Sequence, residues 1–152
     1  MMKSTTKKNI YIVLTLVFLF GCTEKIEPDV RDPFIGAYRV VDEYYSTNNI
    51  SNKSTITYDL EITKSRTDDP TAVILNGNIT LPGCSKLFKA TIKGTTTLVL
   101  DPNQRVQCGQ GGFLELFGFG FFSNTSKPTL NIDYTIITSG PAIRGKITGT
   151  KI

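Results

Sequence analysis

Apolar and polar residues alternate along several stretches of the chain. Thr55–Thr63 alternates most regularly, and Thr129–Ile137 and Lys86–Lys93 repeat its period. A period of two residues is that of a β-strand with one face turned to a core and the other to water. The residues predicted to face the core are Ile56, Tyr58, Leu60, Ile62, Phe88, Ala90, Ile92, Leu130, Ile132, Tyr134 and Ile136.

Shorter apolar stretches predict further strands at Ala37–Tyr45, Ala72–Leu75, Thr96–Leu100, Arg105–Cys108, Phe113–Phe122 and Ile143–Thr150. Turn-forming residues separate the strands, at Asp68-Asp69-Pro70, Asn76-Gly77-Asn78, Pro82-Gly83, Asp101-Pro102-Asn103, Gly109–Gly112 and Ser139-Gly140-Pro141. No long stretch has a helical period. The pattern predicts an all-β fold, an antiparallel up-and-down meander that closes into a small barrel of about eight or nine strands.

The first residues have a different pattern. Residues 1–9 carry three lysines and no acid, Ile10–Phe20 is almost entirely apolar, and Gly21 and Cys22 follow. This is the layout of a secretory signal peptide. Eleven helical residues extend about 17 Å against a hydrocarbon core of about 30 Å, which disfavours a transmembrane helix. We therefore predict a signal peptide at residues 1–21.

The stretch Leu19–Cys22 resembles the lipobox of bacterial lipoproteins. The resemblance implies that Cys22 receives a diacylglycerol and becomes the first residue after cleavage; the alternative is a plain signal peptide with Cys22 unmodified. Residues 22–33 read as a polar tether and residues 34–152 as the barrel domain. Acids at Glu24, Glu27 and Asp29 resemble a surface-export signal of Bacteroidota, and the periplasmic and surface faces of the outer membrane both stay open.

The opening of the predicted barrel carries a second resemblance. Asp32–Val40 looks like the Gly-x-Trp strand of lipocalin-like domains, with Tyr38 where Trp is usual. Residues 19–152 are similar to a group of small lipocalin-like lipoproteins of Bacteroidota. That resemblance implies a barrel in the cell envelope and no particular activity.

Charge and residue types exclude several functions. The formal charge of +4 falls to about +1 once Lys3, Lys7 and Lys8 are removed with residues 1–21, so no basic patch suggests a nucleic-acid partner. The chain has no His, which excludes Ser-His and Cys-His nucleophile pairs and the usual zinc sites. No metal or cofactor is expected. Cys84 and Cys108 are predicted to form a disulfide in an exported domain, with two buried thiols as the alternative.

Carboxylate pairs are the remaining candidates for catalysis. Asp59 and Glu61 share the polar face of a strand, Asp68 and Asp69 precede a proline in a turn, and Asp42 and Glu43 should point to opposite faces. All three pairs are therefore expected to be structural, and the protein is predicted not to be an enzyme. Two acids facing each other inside the barrel at about 5–9 Å would change that prediction.

A run of aromatic residues near the end of the chain is the best candidate for binding. Phe117, Phe119 and Phe121 share one face of a strand, and we expect them inside the barrel, where they either fill the core or line a cavity for an apolar ligand. Tyr38, Tyr58 and Tyr134 would add polar groups to such a cavity. Glu115 would then also lie inside, unless a bulge near Gly118 changes the register.

The sequence thus predicts a non-enzymatic lipoprotein, bound to the membrane through lipid on Cys22. Its barrel would bind a small apolar ligand or a partner in the envelope. The alternative is a structural or interaction module of the outer membrane whose barrel is filled and holds no ligand.

Overall fold

A computed structural model describes residues 27–77, 84, 87–108, 112–123 and 125–152, with the backbone alone at residues 103 and 108. The predicted signal peptide, Cys22 and residues 23–26 lie outside this part, as do the predicted turn at Pro82-Gly83 and most of the one at Gly109–Gly112. A short 3₁₀ turn at Asp32–Phe34 is followed by eight strands: β1 Gly36–Ser46, β2 Ser54–Lys64, β3 Ala72–Asn76, β4 Leu87–Lys93, β5 Thr97–Cys108, β6 Gly112–Phe122, β7 Thr129–Ile137 and β8 Ile143–Lys151.

The eight strands form one closed antiparallel barrel in chain order. Each strand pairs with the next, and β1 closes the circuit by pairing with both β2 and β8. Asp42, for example, lies opposite Ile56 on β2 and Ile147 on β8. The prediction of an all-β, small lipocalin-like barrel is confirmed.

Side chains alternate between the interior and the solvent along every strand. The inward positions predicted on β2, β4 and β7 are confirmed, because these residues are buried or partly buried while their neighbours are mostly exposed. Apolar side chains with 7% exposure or less form one core, among them Val40, Leu60, Ile62, Leu75, Ile92, Leu98, Leu100, Leu116, Ile132 and Ile147.

The expected turn at Asp101-Pro102-Asn103 is wrong. These residues lie within the single long strand β5, which replaces two of the predicted strands, and its register with β6 shifts between Leu100 and Gln104. The pairing of β4 with β5 ends at the Ala90–Leu100 pair. Beyond that pair, the side-chain oxygen of Gln104 accepts from Lys89 N at 2.9 Å, and its side-chain nitrogen donates to Lys89 O at 3.1 Å. Pro102, which has no N–H to donate, is accommodated at this irregularity.

One end of the barrel is filled by aromatic rings. The ring of Phe34, in the 3₁₀ turn, stacks on Phe122 at the end of β6 with centroids 4.3 Å apart. The Tyr38 ring lies 6.1 Å from Phe122, and its hydroxyl donates to the Phe34 carbonyl at 3.1 Å. We call this end, where β1 begins and β2 and β6 finish, the Phe34 end.

The segment before the barrel is bound to the Phe34 end. Arg31 donates to the Asp29 carboxylate at 2.7 Å and to the Ala72 carbonyl at 3.2 Å, and Lys64 lies 3.0 Å from the same carboxylate. Hydrogen bonds from Arg31 and Lys64 hold the pKa of Asp29 below its ordinary value. Lys64 also pairs with Asp32. The predicted tether is therefore attached to the barrel from Asp29 onward.

The predicted disulfide stays a prediction. Cys84 is partly buried against the core, and the side chain of Cys108 lies outside the described part.

Adjacent residues on β6 test the in-and-out register. Phe122→Ala removes a ring that is 3% exposed and stacked on Phe34, and we expect it to lower the free energy of unfolding by about 3–5 kcal/mol. Phe121→Ala removes a ring that is 52% exposed, and we expect a loss below about 1 kcal/mol. Urea unfolding of both variants measures the difference, and equal losses would contradict the register.

Candidate functional site

The phenylalanines of β6 lie on the outside of the barrel. Phe117, Phe119 and Phe121 are 43%, 52% and 52% exposed. Both interior roles expected from the sequence, core filling and lining of a cavity, are therefore wrong for these residues. Glu115 is exposed as well. A register shift does begin at the Leu100–Gly118 pair, but its extra residues lie on β5, and the alternation along β6 is not interrupted.

The residues between the phenylalanines explain this orientation. The inward positions of β6 are Leu116, Gly118, Gly120 and Phe122. A Cβ at Gly118 would overlap the Asp133 carbonyl oxygen and lie 3.1 Å from Cδ1 of Leu100, and one at Gly120 would lie 2.5 Å from the Asn131 carbonyl oxygen and 2.8 Å from Cγ1 of Ile132. The β7 backbone and these two side chains therefore leave no room for rings at Gly118 and Gly120.

We call Phe117, Phe119 and Phe121 the aromatic face. The rings of Phe119 and Phe121 meet edge to face with centroids 5.9 Å apart, a favourable geometry for aromatic pairs. Their cross-strand neighbours on the outside are mostly uncharged: Thr97 and Val99 on β5, Asn131 and Asp133 on β7. The aromatic face is therefore an apolar strip on the barrel wall.

A groove of about 450 Å³ begins at the aromatic face and crosses the outside of β7, β8 and β1. Phe117 and Phe119 on β6, Tyr45 on β1 and Arg144 on β8 are among its lining residues. Its charged residues are Arg144, Lys53, Lys146, Glu43 and Asp133, and none of them forms an ion pair with another described residue. Such a surface offers an apolar contact with polar groups beside it.

The predicted tyrosines lie on the other side of the barrel wall. Tyr38 and Tyr134 are buried and Tyr58 is partly buried, so their rings point inward, although Tyr134 also forms part of the wall of the groove beside Phe117 and Phe119. Burial raises the pKa of Tyr38 to about 12, and its hydroxyl is already bound to the Phe34 carbonyl. The structure therefore separates the predicted ligand site into an outer aromatic part and an inner tyrosine part.

Asp42 was considered above only as the neighbour of Glu43, and it proves to be a buried carboxylate. It has no exposed surface, and both of its oxygens accept from the Tyr134 hydroxyl, at 3.0 and 3.1 Å. Gly145 makes this contact possible, because a Cβ there would overlap the Tyr134 ring. The strand pattern contained the information, since Tyr38, Val40 and Asp42 alternate along β1.

The surroundings of Asp42 change its protonation. Burial raises its pKa from 3.8 to about 7, against the opposing effect of hydrogen bonding by Tyr134. The Tyr58 hydroxyl faces the same carboxylate, and burial raises the pKa of Tyr58. That hydroxyl is buried and makes no well-formed hydrogen bond to any described residue. The interior thus contains a polar cluster of one acid and two phenols.

The other carboxylates lie where the sequence placed them. Asp59 and Glu61 are exposed on the outside of β2, where Asp59 pairs with Arg39. Asp68 and Asp69 are exposed between β2 and β3. Across the part of the chain described here, Asp42 is the one buried charged residue, so no second acid faces it.

No family model matches the chain, and a search of curated proteins finds no match. Within the described ranges, no group of three or more His, Cys, Asp or Glu residues is placed to hold a metal ion. The same part of the chain contains no helix long and apolar enough to cross a membrane. The functional inference therefore starts from the aromatic face and the Asp42 cluster.

Asp42 should make stability depend on pH. Its folded pKa of about 7 exceeds the ordinary 3.8, so the folded state holds this proton more tightly than the unfolded state. Stability is then highest near pH 4, falls as the pH rises toward 7, and levels off above it, a loss of up to about 4 kcal/mol. Urea unfolding from pH 4 to pH 8 measures this slope.

Two variants identify the group responsible. Asp42→Asn should remove most of the slope and raise stability at pH 8. Asp59→Asn, which changes an exposed acid, should leave the slope unchanged. A slope that persists in Asp42→Asn would show that another group titrates.

Proposed function

We propose that this protein is a non-enzymatic lipoprotein of the cell envelope, held at the outer membrane by lipid on Cys22. Its barrel serves as an interaction module that binds through its outside. This is the filled-barrel alternative of the sequence analysis, and the observation that carries it is the outward orientation of the aromatic face.

The interior supports a structural role for the barrel core. Large apolar side chains with almost no exposure point inward from every strand. The Phe34 end is filled by stacked rings. The Tyr38 hydroxyl is bound to the backbone and the Tyr134 hydroxyl to Asp42, so these two groups are already satisfied without a ligand.

The groups that are available for binding a partner lie on the outside of the barrel. Three aromatic rings on one strand, each with roughly half of its surface exposed, form the kind of apolar patch that marks an interaction surface. The groove beside them adds charged groups with no ion-pair partner in the described part. Aromatic and Arg side chains together are typical of interaction surfaces.

The location rests on the N-terminal pattern. A basic start, an apolar stretch too short to span a bilayer, and Gly21-Cys22 together favour export followed by lipidation. The similarity to lipocalin-like lipoproteins of Bacteroidota supports the same location. Two or three acyl chains give stable anchoring where a single chain does not.

Lipidation of Cys22 can be measured directly. We expect intact-mass spectrometry of the membrane fraction to find a chain that begins at Cys22 and carries a diacylglycerol mass. Cys22→Ala should keep residues 1–21 and lack the lipid. Cys84→Ala serves as the matched control, since it removes another cysteine and should leave lipidation unchanged. An unmodified Cys22 in the purified protein would refute the anchor.

A filled interior has its own test. Native protein purified under mild conditions and then extracted with organic solvent should release no apolar small molecule in stoichiometric amount. Mass spectrometry of the extract makes this measurement. Lipid or detergent that is recovered in equal amount from another membrane protein purified in the same way counts as background. A stoichiometric ligand whose binding is lost in Tyr58→Phe or Tyr134→Phe would restore the carrier hypothesis instead.

A further inference from the structure

We propose that the aromatic face seats on the surface of the same bilayer that holds Cys22. This inference rests on the proposed function for the anchor and goes further by naming the partner of the outer surface. The partner is a lipid surface with anionic headgroups.

The aromatic face begins at the Phe34 end of the barrel. Phe121 precedes Phe122, whose ring stacks on Phe34 next to the segment that leads back to Cys22. Phe117 lies four residues earlier on β6, about 13 Å from Phe121 along the strand. The aromatic face therefore occupies the half of β6 at the anchored end, and a fourth exposed ring, Phe113, lies near the other end of the strand.

The anchor is close to this end. The segment is attached to the barrel from Asp29 onward by Arg31 and Lys64. Only five residue steps separate Glu27 from Cys22, and a fully extended chain covers at most about 18 Å over that length. A lipid on Cys22 would thus hold the Phe34 end within reach of the headgroups.

The chemistry of the wall decides which side turns toward the bilayer. Two lysines lie beside the aromatic face. Lys93 on β4 is opposite Thr97 on β5, which is itself opposite Phe121, and Lys127 lies in the loop that follows β6. Both lysines are exposed, and neither forms an ion pair with any residue in the described part. Aromatic rings with lysines at their edge match an interface of acyl chains and anionic headgroups.

The opposite wall has the contrary chemistry. Outward positions of β2 carry Thr55, Thr57, Asp59 and Glu61, which favour water. Yet β2 ends at Lys64, the residue that binds the segment leading to the anchor. Attachment alone would bring β2 to the bilayer, whereas surface chemistry would bring β6, so the two causes make different predictions.

The backbone of β6 permits such a contact. It pairs with β7 from Glu115 to Phe122, and with β5 on both sides of the register shift between Leu100 and Gln104. A wall whose backbone groups are mostly paired can approach an apolar medium at a lower cost than an open sheet edge. Insertion then needs only the rings to enter the outer few ångströms of the bilayer.

The absence of Trp in the chain provides a clean probe. We would place Trp by Phe119→Trp in the full-length lipidated protein and reconstitute it in vesicles of phosphatidylethanolamine and phosphatidylglycerol with brominated acyl chains. We expect a blue-shifted emission that brominated lipid quenches at least several-fold more than it quenches the control. Urea unfolding confirms that each variant is folded.

Glu61→Trp is the matched control. Glu61 lies three residues before the end of β2, as Phe119 lies three residues before the end of β6. Replacing an acid by an indole favours lipid contact at the control site, so this choice works against the proposal. Equal quenching at the two sites, or stronger quenching at Glu61→Trp, would overturn it.

Lys93→Glu with Lys127→Glu gives a second readout. In Phe119→Trp protein, this change should reduce quenching on anionic vesicles severalfold while the lipid on Cys22 keeps the protein bound. A blue-shifted Trp that brominated lipid does not quench would mean that protein covers the face, and the proposal would fail. Failure of the anchor itself appears separately, as a chain that mass spectrometry finds unlipidated.

Discussion

Closure of the sheet is the constraint on which the rest of the structure depends. Because β1 pairs with both β2 and β8, no strand can shift by one residue without turning its apolar side chains outward and breaking its fit with both neighbours. The apolar residues of β2, β4 and β7 set one side of the wall as the interior. Pairing within the closed sheet then fixes the orientation of every other strand, including residues whose own side chains would favour the opposite face.

Asp42 is a residue that the strand pairing holds on the inner face against its own polarity. Its strand places Tyr38 and Val40 inside, so the next inward position must also enter the core, although a carboxylate is unfavourable there. The fold accommodates it with a hydroxyl from Tyr134 and with Gly145, which leaves space for that ring. The pKa of Asp42 is raised because desolvation of the carboxylate outweighs the opposing effect of the Tyr134 and Tyr58 hydroxyls. A neutral side chain of the same size would avoid this cost.

Much of the barrel could be predicted from the sequence, because the period of two residues is a local property. The predictions of strands β2, β4 and β7, of their inward faces and of the antiparallel order were all correct. Two features depend on contacts between strands and were not predicted. Asp101-Pro102-Asn103 has the composition of a turn, but pairing of Gln104 with the Lys89 backbone keeps β5 continuous. On β6, phenylalanines alternate with glycines, and the pattern alone does not show that the β7 backbone and the side chains of Leu100 and Ile132 approach Gly118 and Gly120 too closely for a larger residue.

The orientation of β6 also changes what its residues can do. Hydrophobicity alone would turn Phe117, Phe119 and Phe121 inward, but the inward positions between them are too crowded for rings, so Gly118 and Gly120 occupy those positions and the rings face solvent. An exposed ring retains an unfavourable contact with water unless another apolar surface covers it. Glycine at both inward positions and phenylalanine at the outward ones is therefore a combination that suits contact outside the barrel better than a ligand within it. With the proposed lipid on Cys22, the short connection from Asp29 would make the bilayer the nearest apolar surface.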